Sequence, residues 1–158
     1  DSPSSTLHAA VSATIKDDCE FNHSSSGTTG ILVSGAAASA IIKDNDASID
    51  GYAIGVDVDA ATATVENNHI YNNGIGVRFT NGGDGTVTKN KFYDGAELNG
   101  KDVQITSTGG SVTAGPDNWY AGSTYGVENL SATSVDATLN YWNAADGPGP
   151  VGSGSGTH

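Results

Sequence analysis

Apolar residues along this chain come in short runs, and Gly, Asn and Asp cluster between them. Three kinds of run recur in a fixed order. The first reads small-Thr-aliphatic: Ala13-Thr14-Ile15, Ala63-Thr64-Val65, Gly85-Thr86-Val87 and Ala137-Thr138-Leu139, with Ala40-Ile41-Ile42 and Gly110-Ser111-Val112 as looser copies. The second reads Asn-x-apolar: Asn45-Asp46-Ala47, Asn68-His69-Ile70, Asn90-Lys91-Phe92, Asn118-Trp119-Tyr120 and Asn140-Tyr141-Trp142, preceded by Cys19-Glu20-Phe21 with Cys in the Asn slot. The third is a strand with alternating apolar residues: Ile31-Leu32-Val33, Val56-Asp57-Val58, Val77-Arg78-Phe79, Val103-Gln104-Ile105 and Val127-Glu128-Asn129. The second run starts at 19, 45, 68, 90, 118 and 140, steps of 26, 23, 22, 28 and 22 residues.

A recurrence of this length is the mark of a repeat architecture. Alternation at period two gives each short strand one apolar face, which a single unit cannot bury. Stacking the units at ~4.8 Å pairs each strand in parallel with its copy above and below, and the apolar faces line a central column. The expected fold is therefore all-β, a right-handed parallel β-helix, or solenoid, of about six coils. Val56, Val77, Val103 and Val127 should form one inward stack, and Ile70, Phe92, Tyr120 and Trp142 another. Asn45, Asn68, Asn90, Asn118 and Asn140 should form a side-chain amide ladder. An α/β fold would need helical stretches of ten or more residues, and none is visible. An antiparallel sandwich would not explain why like residues recur in like slots. Residues 1–12 read as an N-terminal segment or partial coil without an amphipathic cap helix, 13–145 as the β-helix, and 146–158 as a Gly/Ser/Pro-rich tail.

The segment Val65-Glu66-Asn67-Asn68-His69-Ile70-Tyr71-Asn72-Asn73-Gly74-Ile75-Gly76-Val77 resembles the β-helix repeat of the pectate-lyase-like superfamily and its NosD-type relatives. The ending Leu139-Asn140-Tyr141-Trp142-Asn143-Ala144-Ala145-Asp146-Gly147-Pro148-Gly149-Pro150 is similar to one that often closes such helices in secreted microbial surface proteins. The resemblance spans roughly residues 11–150. It implies the fold and an extracellular or cell-surface address. The superfamily hosts lyases, hydrolases, epimerases, adhesins and passive spacers, so fold alone does not choose an activity.

Charge narrows the partners. Six Lys and Arg against eighteen Asp and Glu give a formal net charge of −12. Such a surface repels nucleic-acid phosphates and suits anionic polymers such as pectate only if calcium bridges the two. No apolar run is long enough to span a membrane as a helix. The lone Cys19 allows no internal disulfide and is expected to be buried. Asn22-His23-Ser24 and Asn129-Leu130-Ser131 are glycosylation triplets.

Candidate chemistry concentrates in three places. The outward slot of the third run carries Leu32, Asp57, Arg78, Gln104 and Glu128. By the resemblance, a lyase would need a basic residue there as base, and Arg78 is the only arginine; a cross-strand ion pair with Asp57 is the plainer expectation. Asp57 with Asp59 is the candidate carboxylate pair for a hydrolase. Asp44, Asp46 and Asp50 alternate with other residues and form a candidate calcium loop, without the Gly and Glu of an EF-hand. Trp119 and Tyr141 share an outward slot where their rings could stack on sugars. The leading expectation is an extracellular structural or surface protein, self-associating end to end through open coil ends. A carbohydrate-binding module, then a polysaccharide lyase or hydrolase, are the alternatives.

Overall fold

The computed structural model describes residues 5–8, 12–16 and 20–148. In chain order the strands are β1 (Ser5–His8), β2 (Ser12–Ile15), β3 (Glu20–Ser34), β4 (Ser39–Lys43), β5 (Ser48–Asp59), β6 (Thr62–Glu66) and β7 (Ile70–Tyr71). They continue with β8 (Ile75–Thr80), β9 (Asp84–Thr88), β10 (Tyr93–Asp94), β11 (Glu97–Leu98), β12 (Lys101–Ile105), β13 (Val112–Thr113) and β14 (Tyr125–Asn129). Two parallel sheets face one another across the core. One runs β1-β3-β5-β8-β12-β14, with β7 beside β5; the other runs β13-β9-β6-β4-β2. A third face is built from single parallel bridges, His69 to Lys91, Lys91 to Trp119 and Trp119 to Tyr141. About four full turns result, slightly fewer than the six coils that the spacing suggests, and the second sheet thins to one bridge, Thr113 to Asp136, at the last rung. Only the two-residue hairpin β10–β11 is antiparallel among the described strands. It absorbs the residues that lengthen the longest repeat.

The inward columns stand as the alternation requires. Val56, Val77, Val103 and Val127 lie in register and are buried. So are Ile70, Phe92, Tyr120 and Trp142, with ring centroids 5.4 Å apart for Phe92–Tyr120 and 4.8 Å for Tyr120–Trp142. The slots before Val56 and Val77 tolerate no side chain. A Cβ at Gly55 would sit 2.7 Å from the Gly76 carbonyl oxygen, and one at Gly76 would sit 2.7 Å from that of Asp102. Backbones stacked this closely explain the recurrent glycine.

The amide ladder forms. Nδ2 of Asn45 donates to Oδ1 of Asn68 at 2.8 Å, Asn68 to Asn90 at 3.0 Å, Asn90 to Asn118 at 3.1 Å and Asn118 to Asn140 at 3.1 Å. Oδ1 of Asn68, Asn90, Asn118 and Asn140 also accepts a backbone N–H from the preceding rung, as Asn90 does from Asn68 at 3.0 Å. The amide nitrogens also meet carbonyls inside the coil: Nδ2 of Asn90 lies 2.9 Å from both the Val65 and Thr88 oxygens, so its two hydrogens are shared among these and Asn118. The residue before each ladder asparagine turns through a left-handed backbone: Asp44, Asn67, Lys89, Asp117 and Leu139 have φ between 52° and 62°.

Three copies of the repeat are shifted from where their residue types suggest. Ile49, not Ala47, lies over Ile70, and Ala47 is exposed; Asp46 and Ala47 form a small excursion. Val112-Thr113-Ala114, not Gly110-Ser111-Val112, pairs with the preceding coil, since Thr113 lies over Thr86. Val135-Asp136-Ala137 then follows, because Asp136 bridges Thr113, and this displaces Ala137-Thr138-Leu139 from that slot. A two-residue slip keeps the same side chains inward, so alternation alone cannot detect it. Two strands are also longer than the expected short runs: β3 has 15 residues and β5 has 12, and they stay paired round a corner with a register shift between Asn22 and Gly27. Cys19, the side chain of Asn22 and residues 149–158 lie outside the described residues.

Replacing Asn90 with Ala strands a backbone N–H, two carbonyls and two ladder amides inside the coil. At ~1–3 kcal/mol per unsatisfied buried group, partly relieved by relaxation, a loss of about 3 kcal/mol is expected in urea unfolding. A loss below about 1 kcal/mol would show that the ladder is incidental.

Candidate functional site

The outward column of the larger sheet is in register as the third run implies: Leu32, Asp57, Arg78, Gln104, Glu128. Arg78 grips Asp57 with two hydrogen bonds, Nε to Oδ1 at 2.9 Å and Nη2 to Oδ2 at 2.7 Å. Glu128 Oε2 accepts from Lys101 Nζ at 2.6 Å and from Gln104 Nε2 at 2.5 Å. Asp57 and Glu128 are nearly covered, although their slot faces outward, because their partners lie over them. The Asp57 carboxylate holds the Arg78 guanidinium more firmly protonated than usual, chiefly through the hydrogen bond. A group so held cannot accept a proton, so the geometry makes Arg78 a rung-to-rung clamp rather than a base. Asp59, the other half of the carboxylate pair, accepts from Asn81 Nδ2 at 2.8 Å.

The third face carries aromatic rings. Trp119 and Tyr141 are 39% and 45% exposed and meet edge to face, with centroids 4.8 Å apart. Tyr93 extends the stripe, 4.7 Å from Trp119, and Lys91 Nζ lies 4.7 Å from the Tyr93 centroid. His69 and Tyr71 complete it at 4.6 Å, with His69 Nε2 2.8 Å from the Tyr93 carbonyl oxygen. Backbone bonds fix the rung positions, Trp119 N to Asn90 O and Tyr141 N to Asn118 O, both 2.9 Å. The amide ladder therefore sets the spacing of the rings outside it.

Asp44, Asp46 and Asp50 do not converge. Asp44 accepts from Asn67 Nδ2 at 2.9 Å and pairs with Lys43 at 3.4 Å; the Asn67 bond leads in lowering its carboxyl. Asp46 is exposed in the excursion, and Asp50 is buried against the Ser48 hydroxyl at 2.6 Å. Among the described residues, no three His, Cys, Asp or Glu side chains gather to hold a metal ion. Among the described residues no helix is long and apolar enough to cross a membrane, a statement that does not bear on β-barrels.

These parallel rungs, inward columns and laddered asparagines agree with the comparison to known families. A model of the right-handed β-helix region matches residues 3–141. The chain belongs to the right-handed β-helix family. Neither the curated proteins nor the solved structures contain a match to it.

Within this β-helix, a second ladder escaped sequence reasoning. Asn73 Oδ1 accepts the Tyr52 N–H, Asn99 Oδ1 accepts the Asn73 N–H, and Asn73 Nδ2 donates to Asn99 Oδ1 at 3.1 Å. Asn99 Nδ2 then donates to Asp102 at 2.9 Å, whose other oxygen accepts from Ala121 N at 2.8 Å and Gly122 N at 2.6 Å. Asp102 occupies the column of Gly55 and Gly76 and closes the ladder where the next coil offers only Gly122. The recurring Asn73-Gly74 and Asn99-Gly100 was the available signal, and it reads first as turn chemistry. Burial pushes the Asp102 carboxyl up to about 7, against those three hydrogen bonds, which lower it.

Because the native carboxyl holds its proton more tightly than the unfolded one, Asp102 stabilises the fold most fully below about pH 4. That contribution is lost as pH rises through about 7. Three pKa units correspond to roughly 4 kcal/mol. The stability difference between wild type and Asp102→Asn, taken from melts at pH 4 to 8, should shrink by a few kcal/mol toward high pH. A difference flat with pH would contradict the assignment.

Proposed function

We propose that this β-helix is an extracellular structural or surface protein whose coils associate end to end. The observation that supports it is Leu139. The corner slot before the ladder asparagine holds Asp44, Asn67, Lys89 and Asp117 in earlier coils, residues suited to solvent or to a left-handed turn. In the last described coil it holds a leucine at φ 58°, 80% exposed. A non-glycine, non-Asn residue in that conformation costs roughly 1–2 kcal/mol. An exposed apolar side chain held there has a use beyond the fold of its own coil.

Its surroundings fit a contact surface. Val127, Val135, Ala137, Trp142 and Pro148 line, with Leu139, an open cavity of about 560 Å³ at the last rung. A further coil laid over it would bury this apolar surface and continue the strand pairing, the ordinary way in which solenoid ends are covered. The acidic exterior keeps the sides of such coils apart, which favours contact through ends over lateral clumping. An extracellular address agrees with this charge and with the surface-protein resemblance of the closing segment. A second reading, a carbohydrate-binding module, is favoured by the exposed rings of the third face.

Light scattering across a concentration series tests the proposal through Leu139→Asn. Asparagine accepts the left-handed turn, so the variant should melt at or above the wild-type temperature while its average mass falls to that of one chain. Wild type that stays monomeric at millimolar concentration, or a variant that associates equally well, would overturn it.

A further inference from the structure

We infer that the third face is a binding site for a linear, neutral polysaccharide, with Trp119 and Tyr141 as its stacking platforms. This deepens the second reading above and does not depend on end-to-end association. Trp142 and Tyr120 already fill the core of the last coils, and both are buried. Trp119 and Tyr141 add nothing to that core. They are large apolar rings held in water at successive rungs by a rigid backbone.

The shape of the surface selects the ligand. Trp119 and Tyr141 stand in one outward column along the coil axis, with centroids 4.8 Å apart, and Tyr93 leans on Trp119 at 4.7 Å from the neighbouring outward slot. The result is a narrow strip of rings, suited to an extended chain more than to a globular partner. Sugar rings present C–H faces, which pack on aromatic faces, and hydroxyl edges, which need hydrogen-bond partners. The strip supplies both. Lys91 stands over Tyr93, and the β10–β11 hairpin carries Asp94 and Glu97, both exposed. Those two carboxylates lie close enough to add to the upward shift of the Tyr71 hydroxyl, which burial leads.

Charge selects further. Carboxylates accept from hydroxyls but repel uronates and phosphates, and the net charge of −12 adds to that repulsion. The ligand class is therefore neutral glycan. The strip lies on a different face from the Asp57–Arg78 column, so the clamp there and the site proposed here can be changed separately.

The test uses the full chain with cellohexaose, xylohexaose, mannohexaose and hexagalacturonate as probes. Binding is followed by isothermal titration calorimetry, a readout that survives the loss of Trp119. At least one neutral hexasaccharide should bind. Trp119→Ala and Tyr141→Ala should each weaken it by about tenfold or more, roughly 1.4 kcal/mol. Trp119→Phe should retain most of the affinity, and Leu139→Asn should leave it unchanged. Both rings are half-exposed, so the alanine variants should melt within a few degrees of wild type; if one does not fold, the other carries the test. No binding of any neutral probe, preference for hexagalacturonate, or equal affinity in the alanine variants would overturn the proposal.

Discussion

The hydrogen bond from one asparagine side chain to the next, repeated up the coil, is the interaction on which this structure depends. A solenoid corner leaves backbone groups that the sheets on either side cannot reach. Asn90 meets this by accepting a backbone N–H and a side-chain amide from the rung on one side, while its own amide reaches two carbonyls and Asn118. Unpaired, each such group would cost ~1–3 kcal/mol in a dry interior. Registered stacking satisfies all of them with one residue per coil, and the second ladder through Asn73, Asn99 and Asp102 repeats the solution at another corner.

Strict demands inside leave freedom outside. The backbone must repeat, so outward side chains arrive in straight columns whatever their chemistry. In this chain one column became a set of clamped charges, Asp57 with Arg78 and Glu128 with Lys101 and Gln104. Another became a row of rings. Neither is needed for the core, and the two differ in what remains available: the charges satisfy one another, whereas the rings of Trp119 and Tyr141 keep part of their surface in water.

The fold was legible because the amide ladder and the aromatic column each use a distinctive residue type at nearly constant spacing. The pairing of Asp57 with Arg78 followed directly from register. What stayed hidden has a physical reason in each case. Ala47, Val112 and Leu139 were misplaced by two residues, a slip to which an alternating pattern is blind. Asp102 reads as an ordinary surface acid until register puts it in a glycine column. The calcium loop was drawn from one-dimensional spacing, but Asp50 is buried against Ser48 while Asp44 turns toward Asn67. Leu139 looked like a core residue because leucine usually is one; only its left-handed backbone reveals a corner.

The central claim is tested most directly by hydrogen exchange at the side-chain amides, followed by NMR. If the rungs are locked through Asn45, Asn68, Asn90 and Asn118, their Nδ2 hydrogens should exchange orders of magnitude more slowly than those of exposed Asn67, and neighbouring ladder amides should show contacts with each other. Exchange of the ladder amides at the free rate would contradict the account.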